Sequence, residues 1–199
     1  MKLSVGIEIR EGGRGEDRAA GFEAQDSWVF VVADGAGGVG GGAFAAECVV
    51  RATEKFADGV YGSPAEALLS VDVELSMHGC MSTGAIVEVR KGFIRGASCG
   101  DSAVWLIGEE GVWELTEHQF RKPLLGAGGS PVSFEGVHFQ GTLLLASDGL
   151  LNYVPRMAIL SASLSGTAQV AANTLAELAR LSSGTYQDDV AVIIARANV

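Results

Sequence analysis

Leu3, Val5, Ile7 and Ile9 alternate with polar or small residues, the period-two pattern of a half-buried strand over Leu3 to Ile9. Glu11 to Gly15 is turn-forming and carries Arg14; strand character then resumes from Ala19 to Glu23. Trp28 to Ala33 is a continuous run of aromatic, β-branched and small residues, which predicts a strand buried on both faces. Ala24-Gln25-Asp26 links these two strands as a hairpin. Beyond a glycine-rich loop, Ala45, Val49, Ala52 and Phe56 fall at helical spacing, predicting an amphipathic helix over roughly Ala43 to Ala57. Ser63-Pro64-Ala65-Glu66 reads as a capping box with proline at the first helical position. It opens a second helix through about Met77, with Leu68, Val71 and Leu75 inward.

Strands return at Gly84 to Val89, Phe93 to Ser98 and Val104 to Ile107, the first two joined by a Lys91-Gly92 turn. Val112 to Leu115 predicts a short strand. Thr116 to Gly141 is the least regular stretch and holds a loop signal at Gly126 to Pro131. Thr142 to Ala146 predicts another buried strand, Val154-Pro155 a helix start, and Val190 to Ala195 a closing strand. Val170, Leu175, Leu178 and Leu181 predict a final long helix. The order is strands, two helices, strands, two helices, one strand. An α+β fold follows, with antiparallel sheets and helices packed outside. With no linker, repeat or low-complexity tail, residues 1–199 read as a single domain.

Composition narrows the function more than the fold. The chain is 48% hydrophobic, enough for a sizeable core, and its formal charge of -10 argues against nucleic acid or anionic membrane as a main partner. Cys48, Cys80 and Cys99 are widely spaced and odd in number, so they read as small buried residues in a reducing compartment. Met1-Lys2-Leu3 leads directly into strand sequence without the pattern of a signal peptide, and no apolar run reaches the roughly 20 residues of a membrane span. The expectation is a cytoplasmic protein with no membrane partner. Trp28, Trp105 and Trp113 read as core aromatics; His78, His118 and His138, scattered singly, read as surface or hydrogen-bonded residues.

The chemistry gathers at strand ends. Asp34-Gly35 and Asp148-Gly149 each close an apolar strand, where an unpaired carboxylate is costly. Glu16-Asp17, Asp101 and Asp188-Asp189 join them. The set lacks histidine and thiolate, and oxygen-only sites suit Mg²⁺ or Mn²⁺ better than zinc. Two such cations sharing a carboxylate can acidify water and clamp a phosphate. Taken singly, each Asp-Gly pair also reads as a strand-ending turn, as does Asp101. Gly35 to Gly40 satisfies G-x-G-x-x-G, yet a second helix follows where a dinucleotide-binding βαβ unit needs a parallel strand.

In order along the chain, the acidic motifs resemble those of the metal-dependent protein phosphatases (the PPM, or type 2C, serine/threonine phosphatases). Gly15-Glu16-Asp17 resembles Asn-Glu-Asp, and Val32 to Gly38 resembles Val-Ala-Asp-Gly-Met-Gly-Gly. Gly100-Asp101-Ser102 resembles Gly-Asp-Ser, Leu145 to Leu150 resembles Cys-Ser-Asp-Gly-Leu, and Asp188 to Val192 resembles Asp-Asn-x-Thr-Val. The resemblance implies an αββα sandwich: two antiparallel sheets face to face, with helices on the outer faces. It implies that Asp34 bridges two metals, that Asp148 and Asp188 hold the first, and that Gly35, through its carbonyl, holds the second with Glu16 and Asp17 directly or through water. Asp101 and Asp148 then belong to the third metal site of bacterial members. The implied reaction is attack on the phosphorus of a phosphoserine or phosphothreonine protein by a metal-bridging hydroxide, without a phosphoenzyme.

Several positions depart from the family pattern. The arginine that usually binds phosphate, four residues before the motif glutamate, is Gly12; Arg14 and Arg10 are the nearby substitutes, and Arg14 is favoured. The motif asparagine is Gly15, the histidine near the second motif is Val39, and Ser82-Thr83 stands for the usual threonine pair. Asp189 replaces a motif asparagine and reads as a supporting or solvated residue. The segment between Asp101 and Asp148, which includes the family's flap, is short. Such departures resemble the SpoIIE-like branch. Two readings follow: a Mg²⁺- or Mn²⁺-dependent phosphoprotein phosphatase, and a phosphatase-fold module that binds a phosphoprotein or regulatory partner without turnover.

Overall fold

The computed structural model describes residues 2–197, with the backbone alone described at 38–40. The side chain at Val39 therefore lies outside the described residues. One sheet has the order β1 (Leu3–Arg10), β11 (Val190–Ala197), β10 (Thr142–Ala146), β7 (Ala103–Gly108), β8 (Gly111–Glu114). The other has the order β2 (Asp17–Glu23), β3 (Ser27–Ala36), β5 (Gly84–Arg90), β6 (Phe93–Cys99), β9 (Val132–His138), with the two-residue β4 (Met81–Ser82) added at the end of β3. Every pairing is antiparallel. Helices α1 (Gly38–Ala57) and α2 (Pro64–His78) cover the second sheet; α3 (Asp148–Leu151), α4 (Arg156–Ser163) and α5 (Ala168–Leu178) cover the first.

Alternation explains the layering. In β3, Val29 and Val31 face α1 and α2, whereas Phe30 and Val32 point between the sheets toward Leu143, Leu145 and Ile193. Both faces are buried, so the strand is apolar without a break from Trp28 to Ala33. The outer layer on the other side packs Leu150, Ile159 and Leu175 over Leu144 and Val192. The result is an αββα sandwich with one core between the sheets and one beneath each helical layer. The capping box at α2 forms in a shifted version: Ser63 Oγ accepts from Glu66 N at 3.1 Å, and the Glu66 carboxylate reaches Gly62 N at 2.8 Å.

Four expectations are corrected. First, β3 continues through Asp34 and Gly35, because Ser82 and Met81 pair with Gly35 and Ala36 and satisfy backbone that sequence alone would leave to a turn. Second, α1 begins at Gly38, five residues before Ala43. Third, the irregular stretch contains β9, an edge strand held to β6 across a register shift, and α3 is a further short helix. Fourth, α5 ends at Leu178 and leaves Val170, Leu178 and Leu181 exposed; its buried face is Ala168, Ala171, Ala172, Leu175 and Ala176. At its start α5 lies so close to β1 that a Cβ on Gly6 would overlap the Ala168 carbonyl.

Trp105 is buried and Trp28 half-buried, but Trp113 is 44% exposed on the outward position of edge strand β8. His78, His118 and His138 are all exposed. Cys48, Cys80 and Cys99 are buried and free, and burial pushes the Cys48 and Cys99 thiols up to about 11. Among the described residues no helix is long and apolar enough to cross a membrane.

Candidate metal centre

Asp34 sits in β3 with its main chain held from both sides. Its N–H donates to Thr83 Oγ1 at 2.9 Å, and its carbonyl accepts from Thr83 N at 2.8 Å and Ser82 Oγ at 3.0 Å. Asp148 opens α3 directly after β10, and Asn152 Nδ2 donates to its Oδ2 at 3.0 Å. Asp101 follows β6, and its neighbour Ser102 hydrogen-bonds Thr83 through the two hydroxyls at 2.8 Å. These three aspartates, distant in sequence, each bring a carboxylate oxygen to within 4.8 Å of the others.

The remaining candidates surround this group. Asp17 lies directly opposite Asp34 in the β2–β3 register and is 3% exposed. Its Oδ2 is buried with no hydrogen-bond partner. Gly42, early in α1, packs so tightly that a Cβ there would overlap the Glu16 carboxylate and lie 2.7 Å from the Gly35 carbonyl oxygen. A small residue is compulsory at that point, and it brings the Glu16 side chain and the Gly35 carbonyl to one place. Asp188 is exposed on the loop before β11 and is not one of the tight group of three, but its charge is felt at Asp17, Asp34 and Asp148. Arg14 is 76% exposed, with Nη1 3.8 Å from Glu16 Oε2. Arg10 instead pairs with Glu8 and, at 3.5 Å, with Glu177.

Burial of like charges dominates the electrostatics. Burial, reinforced by Asp17, Asp148, Asp188 and Asp101, raises Asp34 from 3.8 to about 8. Burial likewise raises Asp17 to about 7; a hydrogen bond from Ser147 opposes this, and Asp189, Asp148 and Asp188 add to it. Asp148 is also raised, by burial and then by Asp101 and Asp188. A cluster of this kind is strained as anions and relieved by protons or by a cation. The unpartnered Oδ2 of Asp17 and the all-oxygen donor set both fit a hard divalent ion.

Asp189 has the supporting role, of the two readings its sequence position allowed. It is 5% exposed, and its two carboxylate oxygens each accept one main-chain N–H, from Gly12 and from Glu16, both at 2.6 Å. Burial opposes its ionisation, yet the N–H donors of Glu16, Gly12, Gly15 and Asp17 together hold it below the ordinary carboxylate value. Asp189 thus fastens the loop that carries Glu16 and Asp17 against β11. Gly12 lies against Asp188 so closely that a Cβ would overlap its carbonyl, leaving no room for a side chain. The support from Ser82, Thr83 and Asp189 is mostly side chain to backbone, which residue patterns do not encode.

A cleft of about 350 Å³ is lined by Asp101, Asn152, Gln119, Arg121, Glu114 and Arg156. Arg156 stacks 4.3 Å over the Trp105 ring and pairs with Glu114 at 3.6 Å. The cleft is polar, mixed in charge and continuous with the acidic group.

No protein-family model matches the sequence, and no curated protein matches it either. Solved structures match over their whole length. The serine/threonine phosphatase of S. agalactiae superposes with a TM-score of 0.83 at 17% identity, covering 99% of this chain and 100% of that one. Stp1 from Staphylococcus aureus gives 0.81 at 20%, covering 100% and 96%. The PPM Ser-Thr phosphatase MsPP from Mycobacterium smegmatis, in complex with cacodylate, gives 0.80 at 20%, covering 98% of each chain. The fold is therefore that of bacterial PPM serine/threonine phosphatases.

Proposed function

We propose that this chain is a Mg²⁺- or Mn²⁺-dependent phosphoprotein phosphatase that hydrolyses phosphoserine and phosphothreonine monoesters within one catalytic domain with a short flap. The observation that carries the proposal is the convergence of Asp34, Asp101 and Asp148 within 4.8 Å, on a fold shared with bacterial PPM phosphatases. Asp34, Asp148 and Asp188 would hold one ion; Asp34, the Gly35 carbonyl, Glu16 and Asp17 a second; Asp101 with Asp148 a third. Bound there, such ions supply positive charge for phosphoryl oxygens and acidify water at neutral pH. The protein's own part is positional. Ser82 and Thr83 hold the Asp34 main chain, Asp189 holds the Glu16–Asp17 loop, and Arg14, beside Glu16, would be the cation that grips phosphate. The cleft beside Asp101 would take the peptide flanking the phosphoresidue. Mn²⁺-dependent turnover of p-nitrophenyl phosphate and of a phosphopeptide tests the reading. Its absence, or turnover indifferent to chelator, would sink it.

The closed surroundings of Gly12 favour a second reading, a fold-mate that binds a phosphoprotein or regulatory partner without turnover. Gly12→Arg separates family-like repair from a remodelled loop. The clash with the Asp188 carbonyl makes the expected result a loss of about 1–3 kcal/mol in stability. Turnover should fall rather than rise. Higher activity at unchanged melting temperature would show that the loop accepts the familiar arginine and that Arg14 is not its substitute.

A further inference from the structure

Asp72 projects from α2 and belongs to neither the acidic group nor the cleft. Its Oδ1 accepts three main-chain N–H groups from one loop: Gly126 at 2.7 Å, Gly128 at 3.0 Å and Gly129 at 3.1 Å. Convergent backbone donors of this kind ordinarily form a nest for an anion; here the anion is a side chain of the same protein. The loop depends on the contact. Gly126 and Gly128 have φ of +92° and +83°, and a Cβ on Gly126 would overlap the Cys80 carbonyl. Without an acceptor, three N–H groups would point at one another's dipoles.

The loop leads to the acidic centre in short steps. Leu125, fully buried beside Gly126, exchanges both main-chain hydrogen bonds with Ser82, each at 3.1 Å. Ser82 pairs with Gly35 and donates its hydroxyl to the Asp34 carbonyl, and Thr83 closes both sides of the Asp34 peptide. Every link is backbone or a short hydroxyl side chain, so displacement of the loop cannot be absorbed by a flexible rotamer.

We infer that Asp72 is a positioning residue for the acidic centre. It holds loop 124–129 where Leu125 pins Ser82, and Ser82 and Thr83 then fix the main chain that presents the Asp34 carboxylate and the Gly35 carbonyl. The functional consequence rests on the metal-dependent reading above, whereas the mechanical coupling does not.

Asp72→Ala removes the acceptor; Asp72→Asn keeps an oxygen in place. Hydrogen exchange on the full chain should show the amides of Asp34, Ser82, Thr83 and Leu125 exchanging at least tenfold faster in Asp72→Ala, with β1 and β11 unchanged. Calorimetric titration with Mn²⁺ should show affinity about tenfold weaker in the same variant. Asp72→Asn should stay within about threefold of wild type in both. Unchanged exchange at Asp34, Ser82 and Thr83 overturns the inference, as does faster exchange with undiminished Mn²⁺ affinity. Equal damage in both variants spread over β1 and β11 overturns it too, since that marks general destabilisation. Should the wild type bind no Mn²⁺, the phosphatase reading fails on that result, and the exchange data alone decide whether Asp72 holds Asp34 in place.

Discussion

Asp34→Asn is expected to cut phosphatase turnover at least about a thousandfold, a loss of roughly 4 kcal/mol of transition-state stabilisation, while making the metal-free protein more stable. The two effects share a cause. Asp34 is the carboxylate most burdened by its neighbours, with Asp17, Asp148, Asp188 and Asp101 all adding to the cost of its burial. The carboxamide keeps the shape and leaves the main-chain bonds to Ser82 and Thr83 untouched. It removes the charge that a divalent ion would need. Relief of about 1–2 kcal/mol in chelator corresponds to a rise in melting temperature of roughly 2–8 °C for a chain of this size. The rise should be largest at pH 8, smaller at pH 5, and gone only below about pH 4, where the carboxyl is protonated in the unfolded chain (3.8) as well as in the folded one (about 8). Turnover within tenfold of wild type would remove Asp34 from the mechanism. An unaltered melting temperature at pH 8 would instead show that the cluster stores no repulsion.

That a single side chain has opposite effects on folding and on function bears on what the sequence reveals. Carboxylates after buried strands are conspicuous because folding disfavours them there, and this made Asp34 and Asp148 readable without coordinates. The sheets were readable for the complementary reason: β3, β5, β10 and β11 are largely buried and rich in β-branched or apolar residues. β9 escaped because it is an edge strand with mixed burial and a glycine, kept in place by β6 rather than by its own pattern. The buried face of α5 escaped because four of its five buried residues are alanine, which carries little hydrophobic signal. Trp113 misled for a related reason: on a four-residue edge strand, alternation turns Val112 inward and the larger residue out.

The centre shows the same division. Its charged members stand out in the sequence, but the residues that aim them do not. Asp189 and Asp72 each act on backbone N–H groups more than 50 positions away, and nothing about an isolated aspartate indicates which loop it will hold. The family resemblance grouped Asp34 and Asp148 with Asp188 and set Asp101 beside Asp148; in the structure the tight group is Asp34, Asp101 and Asp148. Beside that approach the hydroxyls of Thr83 and Ser102 meet at 2.8 Å, joining the Asp101 turn to the residue that holds the Asp34 main chain. Both groupings share Asp34 and Asp148, so Asp34→Asn tests them together.

The metal-free protein should lose stability as pH rises from about 4 to about 8, the reverse of an ordinary acidic protein. Asp34 and Asp17 ionise near 3.8 when unfolded, but at about 8 and about 7 in the folded chain. Between these values the folded state binds more protons than the unfolded state, so the free energy of unfolding falls with pH by about 1.4 kcal/mol per unit for each excess proton. Asp189 has the opposite sign, since its lowered value adds stability that is lost only as pH drops below the normal carboxylate range. It therefore steepens acid denaturation without altering the slope above pH 5. Discounting for the partial exposure of Asp34, urea denaturation in chelator should show a decline of about 2 kcal/mol or more between pH 5 and pH 8. Mn²⁺ should abolish that decline, because an ion that replaces the protons binds more tightly as they leave, and binding to the folded state alone adds stability. Stability in chelator that is flat or rising over this interval would mean that the carboxylates are already relaxed as anions. They would then have no electrostatic reason to recruit a cation.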